Sequence, residues 1–179
     1  MKRNADPEVI TRTQRLWLRR LQADDAALIQ PLADNWEVAK QTVNLSFPFN
    51  MAEARHFVER AMLAADAGRE SVFALVRQED LALLGLIGLV LDVAPLEAGY
   101  WLGQEHWGQG YASEALQATL EYSRQSLNCR RVDAAVFEEN TASIRVLTKC
   151  GFAYQDCWEE DIPHRGGVRI IRRYQWRTA

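Results

Sequence analysis

Cysteine is scarce in this 179-residue chain: three residues, Cys129, Cys150 and Cys157, with no CxxC spacing. A disulfide framework and a cysteine-built zinc site are therefore excluded, and the three are expected as reduced thiols of a cytoplasmic protein. Histidine is equally sparse; His56, His106 and His164 lie far apart, so no metal site is expected. Long apolar runs are missing too. The greasiest stretch, residues 81–91, is broken by Gly85 and Gly88, whereas a membrane-crossing helix needs ~20 apolar residues. It reads as a buried strand, with no membrane partner. A basic surplus is also absent: 21 Lys and Arg against 24 Asp and Glu give a net charge of −3, which disfavours nucleic acid as a partner. Residues 1–12 are polar and lack the apolar core of a signal peptide.

What is present is an ordinary folded composition, 48% hydrophobic and 25% charged, suited to one domain with one core. Residues 1–12 read as a flexible leader and 13–179 as a single domain. Residues 14–21 alternate polar and apolar at period two, a half-buried strand. Asp24 can cap a helix running to about Asp34, and a second helix runs from Met51 to about Ala67, ended by Gly68. The loop between them, 44–50, exposes Phe47 and Phe49 around a proline. Residues 71–77 and 81–93 form a hairpin about a turn at 78–80. Strand 97–102, helix 112–127, strand 131–137, helix 140–150 and strands 152–158 and 168–176 follow. This order of about seven strands and four helices fits an α/β (α+β) domain: one mixed, mostly antiparallel sheet covered by helices.

The most informative segment runs from Gly99 through Tyr100, Trp101, Leu102 and Gly103 to Trp107-Gly108-Gln109-Gly110-Tyr111-Ala112-Ser113. A strand enters a turn with two glycines, and the turn opens a helix. Free amides at a helix N-terminus, with the positive end of its dipole, suit a phosphate. A Walker A loop is excluded, because no Lys followed by Ser or Thr comes after the second glycine. A dinucleotide fingerprint fails at Ser113, where the third glycine belongs, although Asp133 lies at the distance its acid would take. On this segment alone, a turn that merely reverses the chain stays open.

The second segment, 139–152, reads as a short helix with Asn140 as N-cap, Lys149 near its negative end and Gly151 at the left-handed position beyond it. Taken together, Gly-Gln-Gly-Tyr-Ala-Ser-Glu-Ala at 108–115 and Asn-Thr-Ala-Ser-Ile-Arg-Val-Leu at 140–147, followed by Lys149, Gly151 and Phe152, resemble the GNAT superfamily of N-acetyltransferases. Within it the chain looks like the RimJ/RimL branch, which acetylates protein N-termini and other amines. The Arg15-Leu16-Trp17-Leu18-Arg19 strand and the aromatic loop fit that branch.

The resemblance implies a sheet splayed at its central parallel pair, strands 97–102 and 131–137, with acetyl-CoA as co-substrate. Amides from Trp107 through Ser113 would hold its pyrophosphate. Backbone groups of Tyr100, Trp101 and Leu102 would line the pantetheine arm, Asn140 would hydrogen-bond it, and Ser143 and Arg145 would face the cofactor. Two positions depart from the family pattern. Trp107 stands where a Gln or Arg usually begins the loop, and Leu147 stands where many relatives place a tyrosine acid.

Acetyl transfer to a neutral amine needs a proton acceptor, a stabilised oxyanion and a donor for the leaving thiolate. Ser143, one turn before Leu147 on the same helical face, is the candidate donor, with plain helix capping as its alternative. Glu97 is the candidate base, with a solvated strand-end charge as its alternative; Glu159, Glu160 and Asp161 form a further acidic run. Trp36, Phe47 and Phe49 are candidates for the acceptor pocket, or else cover core. Arg165, Arg169, Arg172, Arg173 and Arg177 read as solvent-facing residues of the last hairpin. The acceptor is expected to be a protein N-terminal α-amine or a small-molecule amine. A CoA-binding module without turnover and, further off, a dinucleotide-dependent oxidoreductase remain as alternatives. Sheet-edge pairing leaves a homodimer open.

Overall fold

Leu16 and Leu18 are fully buried on one face of their strand while Trp17 packs on the other, so the sheet carries apolar layers on both sides. The computed structural model describes residues 8–178. Its strands are β1 (Val9–Arg12), β2 (Leu16–Arg20), β3 (Glu70–Arg77), β4 (Leu83–Val90), β5 (Leu96–Leu102), β6 (Arg131–Phe137), β7 (Ala153–Ile162) and β8 (Gly167–Arg177). They form one sheet in the order β1-β2-β3-β4-β5-β6-β8-β7. Every neighbouring pair is antiparallel except β5–β6.

Helices α1 (Ala26–Ala33), α2 (Trp36–Ala39) and α3 (Met51–Asp66) cover one face, where Ile29, Val38 and Val58 meet Ala74, Val76 and Leu86. Helices α4 (Tyr111–Ser126) and α5 (Thr141–Lys149) cover the other, where Leu116, Leu120 and Leu147 meet Leu16, Leu75 and Ile87. Burying each such side chain contributes about 1.5–3 kcal/mol. Covered on both faces, β4 is apolar almost throughout rather than alternating, which is why residues 81–91 are so greasy. Among the described residues no helix is long and apolar enough to cross a membrane.

The described residues form eight strands and five α-helices where about seven and four were expected. Part of the expected leader, Val9–Arg12, is strand β1, paired with β2 across a register shift; residues 1–7 of that leader lie outside the described residues. A four-residue edge strand, Val-Ile-Thr-Arg, with an irregular register is too short to show a clean period. The added helix, α2, is a single turn, also too short for a period; Asn35 caps it by accepting from the Glu37 amide at 2.9 Å. Ahead of α1, the short 3₁₀ turn Ala23–Asp25 is organised by Asp25, which accepts from the Gln22 amide and pairs with buried Arg19 at 2.7 Å. A reciprocal capping box of Asn50 and Glu53 starts α3.

The feature that positions the site is the β5–β6 pair. Its register extends only over Leu96↔Val132 and Glu97↔Asp133. Beyond that the strands part, β5 staying on β4 to Leu102 and β6 staying on β8 to Phe137.

Candidate active site

Strand alternation decides which backbone groups of β5 face the opening. The Gly103 amide donates to Leu84 O in β4 at 2.9 Å. By parity Trp101 also turns its amide toward β4, whereas Tyr100 and Leu102 turn theirs toward the opening. Of the three expected lining residues, Trp101 thus gives its backbone to the sheet and its side chain to the α1–α3 layer.

The turn after β5 leaves a row of main-chain amides without protein acceptors among the described residues. Gly108 and Gly110 adopt φ of +71° and +82°, a left-handed conformation that side chains resist. Gly110 is the N-cap of α4 and offers no side chain to the helix. The first backbone bond of α4 is Glu114 N to Gly110 O at 3.1 Å, so the amides of Tyr111, Ala112 and Ser113 have no intrahelical acceptor. Those of Gly108, Gln109 and Gly110 likewise meet no protein acceptor among the described residues, whereas the Trp107 amide, expected in the same row, donates to Gln104 O at 3.2 Å and closes the preceding 3₁₀ turn. Six adjacent N–H groups at the positive end of a 16-residue helix form a concave row of donors of the kind that can accept a phosphate.

Side chains brace this row from outside. The Trp107 indole donates to Leu102 O at 2.9 Å, tying the turn to the end of β5; this is what the tryptophan supplies at its unusual position. Arg15 donates to Gln109 O at 3.0 Å and lies over the Tyr111 ring at 4.4 Å. Its guanidinium is gripped by Glu114 at 2.7 Å. Glu114 also accepts from the Thr13 hydroxyl at 2.5 Å and the Arg15 amide at 2.9 Å. Burial alone would raise the Glu114 pKa, but these donors outweigh it and hold the carboxyl below its ordinary value.

Across the opening, α5 faces β5. Asn140 caps α5 through its side-chain oxygen, which accepts from the Ser143 amide at 3.0 Å. The Ser143 hydroxyl lies 2.7 Å from the Tyr100 hydroxyl. Tyr100 was singled out in sequence for its backbone; its phenol is the contact that sequence reasoning missed. Burial pushes the Tyr100 pKa well up, against the contrary effect of the Ser143 bond, so the phenol stays protonated. Leu147 is buried in the core beneath. Arg145 is exposed, and two residues beyond Ser143 is about 200° around the helix. The structure does not bring it to the Tyr100–Ser143 pair. Cys150 is buried, and burial raises its thiol pKa, the opposite of an activated nucleophile.

Glu97 occupies the last paired position before the strands part, in register with Asp133. Its parity is that of Trp101, so it projects from the face opposite Tyr100. Glu97 is exposed at the strand end, yet partial desolvation by its surroundings first, and then the Asp133 carboxylate, push its pKa up from the ordinary value. Asp133 accepts from Gln175 at 2.6 Å. Glu159, Glu160 and Asp161 are exposed on edge strand β7.

The aromatic candidates separate. Trp36 and Phe47 are 44% and 46% exposed with ring centroids 5.4 Å apart. Phe49 is buried in the α1–α3 core, so it covers core rather than facing an acceptor. Arg165 corrects the expectation of a solvent-facing arginine: it is 4% exposed and donates to the carbonyls of Thr42, His164 and Leu45. Arg169, Arg172 and Arg173 instead pair with Glu139, Glu138 and Asp156.

Residues 15–153 match the acetyltransferase (GNAT) domain family. The chain is 32% identical over 143 residues to an uncharacterized N-acetyltransferase, p20, of Bacillus licheniformis, covering 78% of this chain and 80% of that one. It is 28% identical over 138 residues to the ribosomal-protein-serine acetyltransferase of Escherichia coli (strain K12), covering 74% and 75%. Its fold matches that of RimL, a ribosomal L7/L12 α-N-protein acetyltransferase in complex with coenzyme A, with a TM-score of 0.85 at 20% identity over 96% of this chain and 98% of that one.

Proposed function

The chain belongs to the GNAT acetyltransferase family, and on that premise we propose that it moves the acetyl group of acetyl-CoA onto a protein N-terminal α-amine, with a small-molecule amine as the close variant. One observation carries this reading: six unpartnered amides, Gly108 to Ser113, stand beside the unpaired side of β5. The cradle fits a pyrophosphate, and the Tyr100 and Leu102 amides of β5 suit an extended pantetheine amide as a strand edge suits a strand. The relative named for ribosomal-protein-serine acetylation supports a protein acceptor. The three free cysteines fit a cytoplasmic enzyme.

The chemistry divides between the faces of the sheet. On one, Glu97 accepts a proton from the amine as its nitrogen attacks the acetyl carbonyl; the raised pKa makes it the stronger base. At the opening, an inward amide of β5 stabilises the carbonyl oxygen as it gains negative charge. On the other face, Ser143 donates to the departing sulfur and is itself supported by the Tyr100 phenol. The C–S bond breaks as the N–C bond forms, the amine loses one proton and the sulfur gains one.

The test is thiol release from acetyl-CoA with a panel of N-terminal peptides and free amines. Acceptor-dependent release with acetylated product is expected. CoA binding with no release above background on any acceptor would instead identify a module without turnover. The dinucleotide alternative requires a doubly wound parallel sheet, whereas β5–β6 is the only parallel pair among the described strands.

A further inference from the structure

Arg165 is a buried cation without a counter-ion. Its guanidinium has five N–H groups, and three hydrogen bonds, to the Thr42, His164 and Leu45 carbonyls, account for its partners. No carboxylate pairs with it among the described residues. Carbonyl dipoles orient a guanidinium but do not neutralise it, and a buried charge in that condition is costly unless an anion completes it. Burial accordingly lowers the Arg165 pKa, and arginine remains charged all the same.

This cation lines a cavity of about 360 Å³ together with Val43, Asn44, Ser46, Phe47 and His164. The exposed Trp36 and Phe47 rings form an aromatic wall beside it, with the guanidinium 6.0 Å from the Trp36 ring. The cavity has a definite place in the fold. Arg165 belongs to the turn between β7 and β8, beyond the last pair Ile162↔Gly167, and Val43 packs on Phe137, Ile162 and Ile171 at the C-terminal end of β6. That is the end at which β5 and β6 part. Asn35, the cap of α2, further ties the Trp36 segment to the turn after β5 through Gln104 at 2.9 Å.

We propose that this cavity binds a carboxylate carried by the acceptor, gripped by the two remaining N–H groups of Arg165 beside the Trp36–Phe47 wall. A monoanion fits the site better than a phosphate dianion. Arg169, which donates to Arg165 O, is paired with Glu139, and the His164 ring is engaged with Val43 O at 3.0 Å. The carboxylate has two sources: an acidic side chain following a peptide's α-amine, or the carboxyl of a small amino acid. The assignment rests on the acetyl-transfer reading for the name "acceptor", and the test keeps the two separate.

Calorimetry on the full chain, with and without CoA, reads binding without requiring turnover. Two ligand pairs are titrated: the tetrapeptide amides Ser-Asp-Ala-Ala and Ser-Asn-Ala-Ala, and serine against serinamide, which lacks the carboxylate. In at least one pair the carboxylate member is expected to bind about tenfold tighter, the order expected of charge-assisted hydrogen bonds; which pair does so identifies the source. The preference should shrink as salt is raised. Arg165→Gln should bring the members within about twofold, while Arg165→Lys keeps part of the preference; loss of loop order alone weakens both members alike. Should Arg165→Gln fail to fold, the wild-type ratio and its salt dependence decide. Equal affinities in both pairs, no binding by any ligand, or a preference retained in Arg165→Gln would overturn the carboxylate site. Absence of CoA binding or acetyl transfer, with the preference intact, would overturn only the acetyltransferase reading.

Discussion

Tyr100 and Ser143 meet at 2.7 Å across the opening of the sheet, a phenol from β5 on a hydroxyl from α5. The pair supplies a tyrosine hydroxyl where Leu147 leaves none on the helix. Ser143→Ala and Tyr100→Phe are each expected to lower kcat about tenfold or more with little change in CoA affinity. Acting through one hydrogen bond, they should not be additive in the double variant. Single-turnover kinetics beside CoA titration checks this; weaker CoA binding with an unchanged chemical step would make both binding residues.

Glu97 and Asp133 lie side by side in register, and the Asp133 carboxylate is the second cause of the raised Glu97 pKa, after partial desolvation. A base works deprotonated, so activity falls as pH drops through its pKa. Glu97→Gln should remove that acidic limb along with most of the rate. Asp133→Asn should move the limb to lower pH without abolishing it, because the partial desolvation of Glu97 remains. A pH–rate profile that ignores both substitutions would exclude Glu97 as the base.

Gly110, at φ +82°, holds a left-handed conformation that a side chain tolerates poorly. Gly110→Val is expected to cost about 1–3 kcal/mol of backbone strain and to weaken CoA binding at least about tenfold, since the amides no longer converge. Retained affinity in a folded variant would remove the anion cradle.

Glu114 clamps Thr13 and Arg15 against the same turn. Because its folded pKa is depressed, the stability it confers is complete above the unfolded carboxylate pKa and disappears as pH falls through the folded one. Glu114→Gln should cost about 1–2 kcal/mol at neutral pH, held to that range by the solvent that reaches Arg15. Its penalty should fade in acid, as melting curves across pH will show.

Local chemistry made much of this fold legible. The glycines at 108 and 110, the Asn140 cap and the strand periods mark their elements because each works through neighbours in sequence. The Tyr100–Ser143 contact joins residues 43 apart, and the Arg165 cage reaches back more than a hundred residues to Thr42 and Leu45. Such partners are chosen by topology, and no local period encodes them. Phe49 and Phe47 flank the same proline, yet one is buried and the other half exposed; the path of the loop alone separates them.

The short β5–β6 register has a thermal consequence. Two halves of one sheet are joined at that seam by two residue pairs, and beyond it strand edges stand unmatched. A ligand threaded there acts as mortar between the halves, binding the folded protein and not the unfolded chain. The melting temperature should therefore climb with the logarithm of CoA concentration, and amide exchange along β5 and β6 should slow first where the strands diverge.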